Sequence, residues 1–203
     1  MKKSASRHTD GGYLIGIDEA GRGPLAGPVA VGVFAVRSKE ALRKFRGVKD
    51  SKQLSEKQRE EWFARIRVAV KNGEAAYAVS FSRAGTIDDR GLSYAIYSSL
   101  NRALKRLECK GVDCPRAKIL LDGSLYASAR YPDQTTIIDG DAKFPIIALA
   151  SICAKVLRDR RMRKLALEYP QYGFEIHKGY GTKAHYRALK KHGPMPEHRI
   201  SFL

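Results

Sequence analysis

Cysteine is scarce in this chain: Cys109, Cys114 and Cys153 are the only three in 203 residues. The count is odd, and the single C-x4-C pair has no second pair or histidine placed to complete a zinc site. A reducing compartment is expected, with Cys153 a small core residue in its alanine-rich surroundings. Long apolar runs are missing as well. No stretch approaches the roughly 20 residues a spanning helix needs, and Met1 to Gly12 is polar and basic where a secretory signal would be apolar. A soluble, cytoplasmic protein with no membrane partner is expected. Acidic residues are also few, 21 against 38 Lys+Arg, for a formal charge of +17. That imbalance points to a polyanion, nucleic acid ahead of an anionic membrane surface.

The composition itself is ordinary for a folded domain, 43% hydrophobic and 29% charged, and the length suits one domain over residues 13–203 behind a flexible segment, 1–12. Apolar runs at Tyr13-Leu14-Ile15 and Val29 to Val36 read as paired strands. Ser55-Glu56-Lys57-Gln58 has the form of a capping box ahead of a helix that Asn72-Gly73 ends. Ala76 to Phe81 predicts a strand, Asp88 to Leu107 one long amphipathic helix, and Lys118 to Asp122 a short buried strand. Gln134 to Ile138 predicts a further strand. Pro145 opens the longest helix, stopped by Pro170. A loop over Tyr172 to Gly181 and a helix over Thr182 to Lys191 follow. The expected architecture is mixed α/β with a helical C-terminal portion.

The most informative segment is Gly16-Ile17-Asp18-Glu19-Ala20-Gly21-Arg22-Gly23. Adjacent carboxylates at the end of a core strand repel each other and call for a cation. Gly21 and Gly23 allow close backbone approach, and Arg22 suits phosphate. On a straight strand Asp18 and Glu19 point to opposite faces, so sharing one site requires the backbone to turn there. Asp122 and Asp141 also sit at strand edges or just before a long helix, with Asp139 a rival to Asp141. An all-carboxylate set favours Mg²⁺ or Mn²⁺, and two such ions can hydrolyse a phosphodiester. The segment is not a phosphate-binding P-loop, because Arg22-Gly23 stands where Lys and Ser or Thr are needed.

Between Lys155 and Arg199 the net charge is +8, suited to tracking phosphates. Tyr180, between glycines and beside Lys178, suits stacking on a base or sugar and equally a half-buried packing role. Lys49-Asp50-Ser51-Lys52 is compatible with phosphate contact or with a solvated loop. Asp159, flanked by Arg158 and Arg160, reads as a helix-surface ion pair. His177, His185, His192 and His198 form no metal-binding pattern, and none stands near a nucleophile.

Taken in order, these segments resemble the ribonuclease HII family. The resemblance runs through Gly16 to Pro24 with Gly27-Pro28, Asp50 to Ser55, Leu121-Asp122-Gly123 and Gly140-Asp141. It continues through Ala150 to Lys155 with Arg158-Asp159, Tyr169 to Phe174, His177 to Tyr180 and His198-Arg199. The Gly-Arg-Gly form brings the chain closer to ribonuclease HII than to ribonuclease HIII. The resemblance implies an RNase H-like sheet flanked by helices. It also implies cleavage of RNA hybridised to DNA and incision at ribonucleotides embedded in duplex DNA. Carried over by motif, Asp18, Glu19, Asp122 and Asp141 are the metal-binding and catalytic acids, Asp141 being preferred to Asp139. Gly21, Arg22 and Gly23 read the 2′-hydroxyl, Tyr180 stacks on the adjacent deoxyribose, and Ser51, Lys52 and Lys178 map to phosphate-contacting segments. A monomer with two Mn²⁺ or Mg²⁺ ions is expected. The competing readings are a non-catalytic nucleic-acid-binding module and a metal-dependent nuclease without hybrid preference.

Overall fold

The computed structural model describes residues 12–203; the flexible segment expected over 1–12 therefore lies, apart from Gly12, outside the described residues. Among the described residues five strands form one sheet: β1 (Leu14–Ala20), β2 (Val29–Val36), β3 (Ala75–Ser82), β4 (Lys118–Asp122) and β5 (Gln134–Ile137). Their order is β3-β2-β1-β4-β5, antiparallel on the β3-β2-β1 side and parallel from β1 through β4 to β5. The helices are α1 (Lys39–Arg43), α2 (Glu56–Lys71), α3 (Ala84–Arg90), α4 (Leu92–Glu108), α5 (Gly140–Lys143), α6 (Pro145–Glu168), α7 (Phe174–His177) and α8 (Lys183–His192). The expected mixed α/β architecture with a helical C-terminal portion is present.

Alternation along β2 sorts the two layers. Val29, Val31, Val33 and Ala35 pack under α4, with Ile15 and Ile17 of β1. Ala30, Phe34 and Val36 face the other way, toward α2 and α6. The first half of α6 is buried all round, and full burial of Ile147 or Leu149 contributes about 2–3 kcal/mol each. This helix lies so close to the sheet that a Cβ at Gly16 would come within 2.2 Å of the Ile146 carbonyl oxygen. Glycine there sets the depth at which the N-terminal end of α6 meets β1.

Two expectations are corrected. The helix predicted over Asp88 to Leu107 is two helices, α3 and α4, parted at Gly91, whose φ of 80° no helix accommodates. The first strand does not turn at Asp18-Glu19 but continues through Ala20, which pairs with Ala30. The capping box at Ser55 and Gln58 forms as expected, and Thr182 caps α8 through His185 N–H. A third, smaller cluster around Ala26, Met162, Leu165, Tyr172 and Phe174 ties the C-terminal helices to α6.

Candidate active site

Strand register creates the site. Ile17 of β1 and Leu121 of β4 are partners in the parallel pair, so the next residues, Asp18 and Asp122, stand side by side at the carboxyl ends of adjacent strands. Ligand-bearing residues collect at that end of a sheet. β5 then turns into α5, which delivers Asp141. Asp122 Oδ1 accepts from Gly140 N–H at 2.7 Å and from Asp141 N–H at 3.3 Å, fixing that turn against β4. Carboxylate oxygens of Asp18, Asp122 and Asp141 come within 4.8 Å of one another. Asp139 is exposed with φ at 54° and stands outside this group, whereas Asp141 is buried.

Glu19 is placed differently. Because β1 runs on through Ala20, alternation turns Glu19 to the opposite face from Asp18, and Arg22 holds its carboxylate at 3.1 Å. It lines the same cleft but stands outside the group of three aspartates. Burial, with Arg22 opposing, raises the Glu19 pKa. Asp18 is more strongly affected: burial first, then the Glu19 and Asp122 charges, push its carboxyl well above the usual range, against a hydrogen bond from Ser151. Lys52 Nζ reaches Asp141 Oδ2 at 3.1 Å. Burial works against the Lys52 charge, yet the Asp141 hydrogen bond and the surrounding carboxylates outweigh it and raise its pKa. The donor set fits a hard divalent cation: three converging carboxylates with no sulfur or imidazole among them. Such an ion would also offset the repulsion that disfavours ionised Asp18.

Asp18 and Asp122 open into a cleft of about 220 Å³, lined also by Gly21, Arg22, Gly23, Ser51, Lys52 and Tyr180, with Asp141 behind Lys52. Ser51 is buried, its hydroxyl 2.8 Å from that of Ser151. Lys178 is not on this lining. Its backbone is left-handed (φ 53°), and its ammonium donates to the Glu175 carbonyl and lies 3.7 Å from Glu56. Asp159 is ion-paired, but not on the surface: it is 3% exposed, with Lys155 at 2.9 Å and Arg59 at 3.8 Å.

Residues that the sequence left without a role hold the two walls together. Arg199 is fully buried, and its guanidinium donates to the carbonyls of Gly21 (2.7 Å), Arg22 (2.8 Å) and Gly27 (2.9 and 3.0 Å). Arg158, also fully buried, donates to Pro28 at 2.9 Å and Lys178 at 3.1 Å. Burial and the neighbouring Arg158 charge draw the Arg199 pKa down to about 9. Both guanidiniums thus spend their donors on backbone, pinning the Gly21–Pro28 loop to the segment carrying Tyr180. One sequence signal could have revealed Arg158: it continues the i, i+3, i+7 row of Ser151 and Ala154 on the buried face of α6.

Three histidines complete the support. Met195 N–H donates to His198 Nδ1 at 3.0 Å, so the His198 proton is on Nε2, 3.0 Å from His185 Nε2. His185 accepts there and donates from Nδ1 to the Tyr180 carbonyl at 3.0 Å. His177 stacks on His185 with ring centroids 4.5 Å apart. Burial and then His185 lower the His198 pKa to about 4, so His198 is neutral at physiological pH.

The sequence model of the family ribonuclease HII matches residues 15–203. The chain belongs to the ribonuclease HII family. It is 44% identical to the ribonuclease HII of Endomicrobium trichonymphae over 189 residues, covering 93% of this chain and 84% of that protein. Against ribonuclease HII of Shewanella halifaxensis it is 41% identical, covering 94% and 88%. Among solved structures, ribonuclease H2 from Pyrococcus horikoshii OT3 superimposes with a TM-score of 0.69 at 30% identity, covering 93% of each chain. The RNase HII of Archaeoglobus fulgidus, solved as a complex with PCNA, gives 0.67 at 26%, covering 94% and 95%. With family membership comes the activity class, a metal-dependent endoribonuclease of RNase H type 2. The RNase H-like fold expected from the sequence is also that of these structural neighbours. No helix among the described residues is long and apolar enough to cross a membrane.

Proposed function

We propose that this ribonuclease HII cuts the RNA strand of RNA–DNA hybrids, and incises duplex DNA at embedded ribonucleotides, in the cleft headed by Asp18, Asp122 and Asp141. The observation that carries the reading is the convergence of three carboxylates beside a basic, glycine-walled cleft in a chain of charge +17. Asp18, Asp122 and Asp141 would hold Mg²⁺ or Mn²⁺, with Glu19 completing the set for a second ion from the rim. When bound, these ions stabilise charge on the phosphodiester oxygens and make a water nucleophilic near neutral pH.

The remaining work falls to the chain's own groups. Backbone groups of Gly21, Arg22 and Gly23 meet the 2′-hydroxyl, the one feature that distinguishes a ribonucleotide at a single position. Such contacts ignore the base, so cleavage is largely independent of sequence. Tyr180, 42% exposed at the cleft edge, stacks on the adjoining sugar and so sets the register of the strand. Lys52 and Lys155 neutralise the phosphate, and Ser51 orients Ser151 against Asp18. Lys178 acts by shaping the Tyr180 loop. The products are a 5′-phosphate and a 3′-hydroxyl. The enzyme acts as a monomer, and its three cysteines are free thiols, in keeping with the cytoplasm.

The test is a duplex carrying one ribonucleotide, incubated with Mg²⁺ or Mn²⁺ beside all-DNA and all-RNA duplexes, with the ends mapped. Incision confined to the ribonucleotide supports the reading. Failure with both ions, or equal cutting of the all-DNA control, removes it.

A further inference from the structure

The cleft does not end at Arg22. That residue also lines a narrow pocket of about 70 Å³ with Ser93, Tyr97 and Tyr126. Tyr97 in turn lines a third cavity, about 710 Å³ and larger than the cleft itself, running along α4 past Arg102 and Lys105 to Arg130. Arg22 and Tyr97 each border two of the three spaces, which therefore lie end to end along a path leading away from the aspartates.

The path is preformed. One wall is α4, the other the 124–131 connection, and Asn101 ties them by accepting from Ser128 N–H at 3.0 Å while donating to the Tyr97 carbonyl at 2.9 Å. Arg130 and Glu108 close the far end at 3.1 Å. Its chemistry is one-sided. Arg102, Lys105 and Arg130 stand against one carboxylate, Glu108, which pairs with Arg130, while Arg22 at the near end pairs with Glu19. The rings of Tyr97 and Tyr126 lie 5.2 Å apart, tilted by 37°, and Tyr126 is 62% exposed. Exposed aromatic rings beside lysine and arginine form the combination that binds unpaired nucleotides: rings stack bases, cations track phosphates.

We propose that this path binds a single-stranded stretch of nucleic acid running out of the cleft, with bases on Tyr97 and Tyr126 and phosphates on Lys105 and Arg130. The proposal rests on the aspartate cleft being the cutting site. Paired bases present no open face to a tyrosine, so a strand in this groove is single.

The experiment uses the full chain carrying Asp122→Asn, with duplexes holding one ribonucleotide, either blunt or extended on the 5′ or the 3′ side by about ten unpaired nucleotides, the order of length such grooves cover. Binding is read by fluorescence anisotropy, and incision of the blunt duplex is read separately with Asp122 intact. An extension on one side is expected to tighten binding by at least about fivefold. Tyr126→Ala and Lys105→Glu, both at exposed positions, should each reduce that gain, Tyr126→Phe should keep it, and blunt-duplex binding and incision should stay unchanged. No gain from either extension, or a gain that survives both substitutions, overturns the proposal. Equal weakening on blunt and extended substrates also overturns it, assigning the groove to duplex. Failure of the parent chain to incise the blunt duplex would instead strike at the cutting site, a separate result from the binding series.

Discussion

The Arg199 guanidinium donates to the Gly21 carbonyl at 2.7 Å across 178 residues of sequence. With its bonds to Arg22 and Gly27 it sits beneath the loop that faces the cleft, fully buried and surrounded by backbone oxygens. Removing it leaves those carbonyls without their donors, each a loss of about 1–3 kcal/mol when buried. Arg199→Ala should therefore lower unfolding stability by about 3 kcal/mol or more. Arg199→Lys keeps a charge but not the planar fork, so it should retain most of the fold while reducing incision by about tenfold. Denaturant unfolding and steady-state incision measured on the same preparations check both. Equal activity in Arg199→Lys would show that loop position does not depend on the fork.

Two glycines of the same loop should respond in opposite ways. Gly21 has φ at 93°, and a Cβ there would come within 2.0 Å of Arg158 Nε. Gly21→Ala is expected to cost about 2–4 kcal/mol of stability through backbone strain and displaced Arg158. Around Gly23 a Cβ would meet nothing within 4 Å. Gly23→Ala should fold like the parent, within about 0.5 kcal/mol. Its loss should appear in KM or kcat for ribonucleotide-containing duplex, since the added methyl points into the space the substrate would use. A Gly23→Ala enzyme with unchanged kinetics would place the substrate elsewhere.

These contrasts also mark what could be read from sequence. Asp122 was legible because an apolar run ending in an acid has a strand's length and a ligand's position. Asp18 was legible for the same reason, and Glu19 as its neighbour on the cleft, but the face Glu19 takes depends on where β1 ends, and the pairing of Ala20 with Ala30 that extends the strand is a tertiary fact. The break at Gly91 was hidden because apolar periodicity resumes within the next turn. Arg158 and Arg199 were the hardest to see. A basic residue in a basic C-terminal region reads as solvated, and only the distant carbonyls of Gly21, Gly27 and Pro28 make burial tolerable.

At the aspartates, Asp122→Asn separates folding from chemistry. The amide oxygen can still accept from Gly140 N–H, the 2.7 Å bond that sets α5 against β4, so the structure should hold. The negative charge is lost from the group that would bind the cation, and incision should fall by about a thousandfold. Hybrid binding in a gel-shift assay should persist within a fewfold of the parent. Residual activity near the parent level would show that Asp122 is not a ligand. Adding a chelator to the parent should abolish activity in the same assay, with recovery on Mg²⁺ or Mn²⁺.

The histidine relay gives the chain an acid limit of its own. His198 is buried, packed by the Tyr172 and Phe174 rings, and bonded to His185, and its pKa falls from 6.5 to about 4. Burial, with His177 adding repulsion, lowers that of His185 as well. For a base whose folded pKa is depressed, the unfolded chain binds the proton first. Stability from keeping His198 neutral is therefore complete above about pH 6.5 and is lost as pH falls from there toward 4, by on the order of 2 kcal/mol. A proton on His198 Nδ1 would oppose Met195 N–H, and one on His185 Nε2 would oppose His198 Nε2–H, so protonation breaks the contacts of His198 while His185 Nδ1–H still donates to the Tyr180 carbonyl. Urea unfolding from pH 7.5 to 4.5 should show this slope. In His198→Gln, which cannot titrate, the slope should flatten even if the absolute stability is lower. A slope unchanged in His198→Gln would place the acid sensitivity on other groups.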